Sequence, residues 1–288
     1  MYIPKDLDDA LEYLDKNAPD SIPIAGGTDV LIQIREGKLK PKVLVDLSGL
    51  KSQLSYVKRF NGKIAIGALT SVAELDESFL VKDRRYLGFA DVSAKFASPI
   101  LKALATIGGN IGVAVSASDY VTLLHVLNAQ VKLVSVKGER VIPLEKLIVD
   151  KRTLAKEPNE IIYEVLFNEL PENSSTAFMK FDRREMIIIG YVTCATYLQL
   201  ENNVIEDARL AFDRVAGRVP GRARKTEDFL KGKEFSLEVI RQAYNEVLPE
   251  EMKRKSDFRA SAEYRLDMSK VMMKRALLKA KSRIEGGV

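Results

Sequence analysis

Two glycine pairs set the tightest limits on how this chain can fold. Each follows apolar sequence and is flanked by small hydrogen-bonding residues: Ala25-Gly26-Gly27-Thr28-Asp29 and Thr106-Ile107-Gly108-Gly109-Asn110. Glycine lets the backbone take positive φ angles and lets a bulky anion reach the amide groups with no Cβ in the way. Successive N–H donors in such a turn form a concave anion site, to which a Thr hydroxyl and an Asn amide add donors. Taken singly, a Gly-Gly pair is a tight turn and nothing more. Two of them in successive α/β units suit a long dinucleotide lying between the units, because its pyrophosphate needs backbone donors from both sides. On that reading a valine at Gly109 would obstruct both the turn and the approach of the anion. Neither pair matches the Gly-x-Gly-x-x-Gly fingerprint or the phosphate loop ending in Gly-Lys-Ser/Thr, which weakens the nicotinamide and nucleotide-triphosphatase readings.

The elements around the pairs follow from periodicity and turn chemistry. Leu7, Ala10, Leu11 and Leu14 recur at helical spacing behind Pro4, and Ile22 to Ala25 and Val43 to Leu47 have strand character. Between those strands, Val30 to Ile34 is apolar enough for either helix or strand. Asn61-Gly62 tolerates the positive φ angles of a type I′ turn, so Tyr56 to Ile66 is a hairpin. Ser71 to Asp76, Tyr86 to Phe96 and Asp119 to Leu127 read as helices, with a glycine-rich break at Gly108-Gly109. A second hairpin, Val131 to Val136 with Arg140 to Pro143, turns across Lys137-Gly138, and Ile161 to Phe167 is a further strand. Around Pro171 to Ser175 the composition becomes polar and loop-like. After it come two long strands, Ile188 to Leu200 and Val204 to Phe212, and then helices to the end. In the last helix Ala262, Leu266, Met273, Leu277, Ala280 and Ile284 share one face, so Met272 and Met273 are read as packing residues.

A chain of 288 residues exceeds what one core comfortably supports. The expected division is therefore 1–172, in subdomains of about 1–54 and 55–172, followed by an α+β domain over 173–288. One cysteine, Cys194, and one histidine, His125, exclude an internal disulfide and leave no cluster of soft ligands for zinc or iron–sulfur. No metal site is expected on this chain. His125 lies among Leu123, Leu124, Val126 and Leu127, and Cys194 between Thr193 and Ala195, so both are read as packing groups. The formal charge of +5 is local: from Glu251 onward eleven Lys and Arg stand against five Asp and Glu. Phe258 and Tyr264 are the only aromatic residues in that stretch, too few for a stacking platform, so that excess is read as a solvated face or a subunit contact, and no nucleic acid is expected. No apolar run reaches the roughly 20 residues of a membrane span. Met1 to Lys16 is charged where a signal peptide is apolar, so a cytoplasmic location is expected.

With these residues in view, the chain resembles the FAD-binding subunits and domains of the xanthine dehydrogenase and aerobic carbon monoxide dehydrogenase group of molybdenum hydroxylases. The likeness rests on Ala25 to Asp29, on Thr106 to Ile111, on Asp119 shortly after, and on Ser261-Ala262-Glu263-Tyr264-Arg265 with the basic helix through Arg275-Ala276-Leu277. It covers nearly the whole chain in the family's order. Relatives carry a Pro between the second glycine pair and the acid, where this chain has Gly112 to Ala117. Beyond Ala211 the sequence Phe212-Asp213-Arg214 replaces part of the family's pattern, whereas Pro220-Gly221-Arg222 is kept.

The resemblance implies an α+β protein: a vanillyl-alcohol-oxidase (PCMH)-type FAD-binding domain of two α/β subdomains, then a C-terminal domain of the carbon monoxide dehydrogenase flavoprotein type. It further implies that Pro23, Ile24, Ala25, Gly26, Gly27, Thr28, Asp29 and Val30 wrap the pyrophosphate from one side, and Thr106, Ile107, Gly108, Gly109 and Asn110 from the other. By the same carry-over Phe96 packs near the flavin or adenine, Asp119 contacts the hydroxylated linker, Ile162 gives an apolar contact, and Lys180 lies near the flavin. No catalytic residue is expected, because the isoalloxazine supplies the redox chemistry. Implied partners are a molybdenum-binding large subunit and a small subunit with two iron–sulfur clusters of the two-iron two-sulfur type, in a dimer of heterotrimers, with NAD, quinone or dioxygen as final acceptor. Two rivals are a stand-alone FAD-dependent reductase or oxidase of the same fold and a non-catalytic basic binding module.

Overall fold

The computed structural model describes residues 1–182, 189–213, 220–252 and 256–287. Ile188, expected to open a long strand, lies outside the described residues, as do Arg214 and Lys253 to Lys255 of the basic tail. The chain forms two compact units that do not follow it in two blocks. One comprises Met1–Leu75, Ser98–Ala114 and Asn128–Glu169; the other comprises Asp76–Ala97, Val115–Leu127 and Leu170–Val288. Residues 76–97 and 115–127, which sequence reading groups with the first domain, pack within the second unit.

In the first unit, the helix Leu7–Asn17 starts at Asp6, whose carboxylate accepts from the Asp9 amide, and it buries Ala10, Leu11 and Leu14. Ser21–Ile24 pairs in parallel with Val43–Asp46. The segment left open by periodicity, Val30–Arg35, is the short helix that links them, since a parallel pair needs a crossover. A five-stranded antiparallel sheet follows, in the order Val57–Phe60, Lys63–Gly67, Ile161–Asn168, Gln130–Ser135, Gly138–Pro143. Its first hairpin turns at Asn61 and Gly62, with φ of 49° and 70°, the geometry a type I′ turn requires. The second turns one residue earlier than expected: Ser135 pairs with Gly138, so Val136 and Lys137 form the turn and Gly138 opens the strand.

In the second unit, Ser174–Phe181, Val192–Glu201, Val204–Asp213 and Gly221–Arg222 form an antiparallel sheet. The helix Ala262–Ile284 covers one face, where Leu266, Met272, Met273, Ala276, Leu277 and Ala280 join Cys194, Leu198, Leu210 and Phe212 in one core. Gly88–Lys95 and Asp119–Val126 also pack on this sheet, and every residue of Asp119–Val126 is buried. That total burial explains why this helix reads as a continuous apolar run rather than an amphipathic one.

Candidate functional site

The first glycine pair leaves the strand Ser21–Ile24 directly. Gly27 has a φ of +69°, whereas Gly26 is needed for a different reason: a Cβ there would lie 1.7 Å from the Leu104 carbonyl oxygen. The loop backbone therefore rests against the end of the helix Pro99–Leu104, immediately before the second motif. The amides of Gly26, Gly27, Thr28 and Asp29 meet no acceptor among the described residues, and all four residues are partly accessible. Ile24 underlies the loop, its Cδ1 3.3 Å from where a Cβ of Gly27 would stand. Pro23 pairs with Val45 in the strand, and Val30 begins the following helix.

The second pair is built differently from the break that sequence reading expects. Gly108 and Gly109 lie inside the helix Ile107–Gly112, and neither has a positive φ. Thr106 caps this helix, its Oγ1 accepting from the Gly109 amide at 3.1 Å. The other amides are also engaged: Ile107 with the Thr70 carbonyl at 3.0 Å, Gly108 with Ala68 at 2.9 Å, and Asn110 with Thr106 at 2.9 Å. The expectation of free amides from both pairs is thus corrected. The donors with no protein acceptor belong to the first loop, and the second motif is a packed helix start. Crowding falls on Gly108, where a Cβ would meet Ala68 at 2.7 Å, rather than on Gly109, which faces only the Thr106 hydroxyl at 3.0 Å. Ile162 lies beyond the far end of this helix, its Cδ1 3.9 Å from where a Cβ of Gly112 would stand.

The other proposed site residues lie in the second unit and form their own cluster. Lys180, on the strand Ser174–Phe181, donates from Nζ to Asp119 Oδ2 at 2.7 Å, and each side chain is 6% exposed. Asp119 opens the helix Asp119–Val126, where the helix dipole favours its charge. Lys180 Nζ also lies 3.5 Å from the Lys95 carbonyl oxygen. Phe96 ends the helix Gly88–Lys95 and meets Tyr120 edge to face, ring centroids 5.5 Å apart. Phe96, Asp119 and Lys180, widely spaced in sequence, thus come together.

Sequence reading missed Arg152, which pairs with Asp29 at 2.8 Å; no motif or periodicity marks it. Cys194 is fully buried, and burial pushes its thiol well above the ordinary value, which suits a packing role. His125 is buried in its helix. Among the described residues no group of His, Cys, Asp and Glu could hold a metal ion, and no helix is long and apolar enough to cross a membrane.

Comparison with known proteins agrees with this architecture. Residues 1–169 match the family described as the FAD binding domain in molybdopterin dehydrogenase, and residues 176–280 the CO dehydrogenase flavoprotein C-terminal domain. The xanthine dehydrogenase FAD-binding subunit of Escherichia coli O157:H7 is 28% identical over 95% of this chain and 93% of its own length. The nicotinate dehydrogenase FAD-subunit of Eubacterium barkeri is 27% identical over 100% and 97%. Among solved structures, a chain of carbon monoxide dehydrogenase from Hydrogenophaga pseudoflava superposes with a TM-score of 0.91 at 25% identity, covering 98% of this chain and 96% of that one. The chain therefore belongs to the family of FAD-binding domains of molybdopterin dehydrogenases, continued in the same polypeptide by the flavoprotein C-terminal domain of CO dehydrogenases.

Proposed function

We propose that this chain is the FAD-carrying subunit of a molybdenum hydroxylase, placed between the iron–sulfur clusters of a small partner subunit and an external acceptor such as NAD, quinone or dioxygen. Its relatives are named as FAD subunits of dehydrogenases and as medium chains of carbon monoxide dehydrogenase, and a molybdenum-binding large subunit is the third partner on this reading. The observation that carries it is the run of amides from Gly26 to Asp29, in partly accessible residues and without acceptors among the described residues, on a loop pressed against the segment leading into Thr106. Such donors fit a diphosphate, and they need no Lys or Arg in the loop.

When bound, FAD supplies the electron-transfer chemistry, and the polypeptide sets its position, polarity and access. The chain's own part is to hold the diphosphate with the amides of Gly26, Gly27, Thr28 and Asp29. Pro23 to Val30, Thr106 to Asn110 and Ile162 are the proposed cofactor residues of the first unit, and Phe96, Asp119 and Lys180 are those of the second.

The recombinant chain should bind FAD and show oxidised flavin bands near about 370 and 450 nm. At about a thousand times its dissociation constant, FAD should stabilise the fold by roughly 4 kcal/mol, read as a rise in melting temperature. A colourless protein whose melting FAD does not shift would reject the cofactor site. Native mass spectrometry of the gently purified complex tests the partners: finding the chain always alone would remove the hydroxylase assignment and leave FAD binding intact.

A further inference from the structure

Asp29 closes the first glycine loop and stands at the start of the helix Val30–Arg35, yet its carboxylate does not cap that helix. It turns instead to Arg152, whose Nη1 and Nη2 donate to its two oxygens at 2.8 and 3.2 Å; Gln33 Nε2 donates to it as well. The backbone holds Arg152 in place for this. Arg152 is the second residue of the two-residue turn between Ile148–Asp150 and Thr153–Leu154, with φ of 59°. Glycine takes that conformation freely, whereas a Cβ makes it costly. Its amide donates to the Ala114 carbonyl at 2.7 Å, and Ala114, just past the helix Ile107–Gly112, is itself left-handed at φ 47°. One residue thus touches the first glycine loop with its side chain and the end of the second motif with its main chain. The turn itself has no need of an arginine.

We propose that Arg152 is a positioning residue of the diphosphate site, neutralising Asp29 and holding its carboxylate out of the way of the bound anion. An unpaired carboxylate next to the amides of Gly27 and Thr28 would repel a diphosphate that those amides attract. A bidentate guanidinium fixes both the charge and the direction of that carboxylate, which a lysine could not. The pair is partly exposed, at 38% and 29%, so the effect depends on ionic strength. This inference rests on the FAD reading above.

The test titrates FAD into the full chain and follows quenching of flavin fluorescence. Arg152→Gly keeps the amide bond to Ala114 and relieves the left-handed backbone, so the melting temperature without FAD should stay within about 3 °C of wild type. The dissociation constant for FAD should nevertheless rise about tenfold, and high salt should shrink that loss. Asp29→Asn in the Arg152→Gly background should restore most of the lost affinity, because the repelling charge has gone. Unchanged affinity in Arg152→Gly, or a loss that Asp29→Asn does not repair, overturns the role given to Arg152. A wild-type chain that fails to bind FAD overturns the flavin reading first, and the two failures are told apart by that control.

Discussion

Arg283 and Asp91 meet as a bidentate pair, Nη1 to Oδ2 at 2.8 Å and Nη2 to Oδ1 at 2.7 Å, with both side chains more than nine-tenths buried. Asp91 also accepts from Lys279 Nζ at 2.7 Å and from the Phe178 amide at 3.0 Å, and Arg283 donates to the Thr176 carbonyl at 2.7 Å. The last helix is thereby pinned to the strand Ser174–Phe181 and to the helix Gly88–Lys95. Asp91→Ala would leave a buried guanidinium unpaired, which costs about 3–5 kcal/mol. Urea unfolding followed by circular dichroism measures this. A loss near that of an exposed pair, below about 1 kcal/mol, would show that the network does not hold the unit together.

Gly26 and Gly109 differ in what a methyl group would meet, so alanine should be costly at the first and nearly neutral at the second. At Gly26 the new Cβ would sit 1.7 Å from a main-chain oxygen, which neither backbone can yield without shifting the loop. Gly26→Ala should therefore cost about 2 kcal/mol or more and abolish flavin retention on gel filtration. At Gly109 the neighbour is a side-chain hydroxyl at 3.0 Å and the backbone is helical. The helix preference of alanine, about 1 kcal/mol over glycine, offsets that contact, and Gly109→Ala should stay near wild-type stability. Full flavin content in Gly26→Ala would contradict the close approach of the two segments.

How far these features can be read from sequence depends on how local their causes are. The turn at Asn61-Gly62 and the helix behind Asp6 announce themselves because their chemistry lies within a few residues. The helix through Gly108 and Gly109 does not, because bonds from Ile107 and Gly108 to Thr70 and Ala68 and the Thr106 cap override the poor helix preference of two glycines. Residues 76–97 and 115–127 give no compositional sign that they pack in the second unit, since the sheet they cover is made later in the chain. Asp119 and Lys180 enter the candidate site only through family resemblance. Their pairing joins positions 61 residues apart, and nothing in local pattern encodes it. Arg152 lies 123 residues from Asp29 and escapes both approaches.

Lys180 and Asp119 bury opposite charges against each other at 2.7 Å, each side chain 6% exposed, so each should be costlier to lose alone than with its partner. Lys180→Met should destabilise the FAD-free chain by about 3–5 kcal/mol. Adding Asp119→Asn should recover part of that, giving a coupling energy on the order of 2 kcal/mol in a double-mutant cycle. Additive losses, measured from urea midpoints at constant slope, would mean that the two side chains do not act as a pair.

Glu160 offers a test by acidification. Burial alone would push its carboxyl up, but Arg140 donates at 2.6 and 2.8 Å and the Glu157 amide at 2.7 Å, and together they hold it below its ordinary value of 4.5. Because the folded chain favours the charged form, the stabilisation is complete above the ordinary value and drains away as pH falls through the lower folded one. The wild-type chain should therefore lose stability on acidification below about pH 4.5 partly through this group. Glu160→Gln, with no proton to take up, should start less stable at neutral pH and decline less steeply across that acidic window. Urea midpoints recorded at half-unit steps of pH compare the two slopes, and parallel curves would remove Glu160 from the acid response.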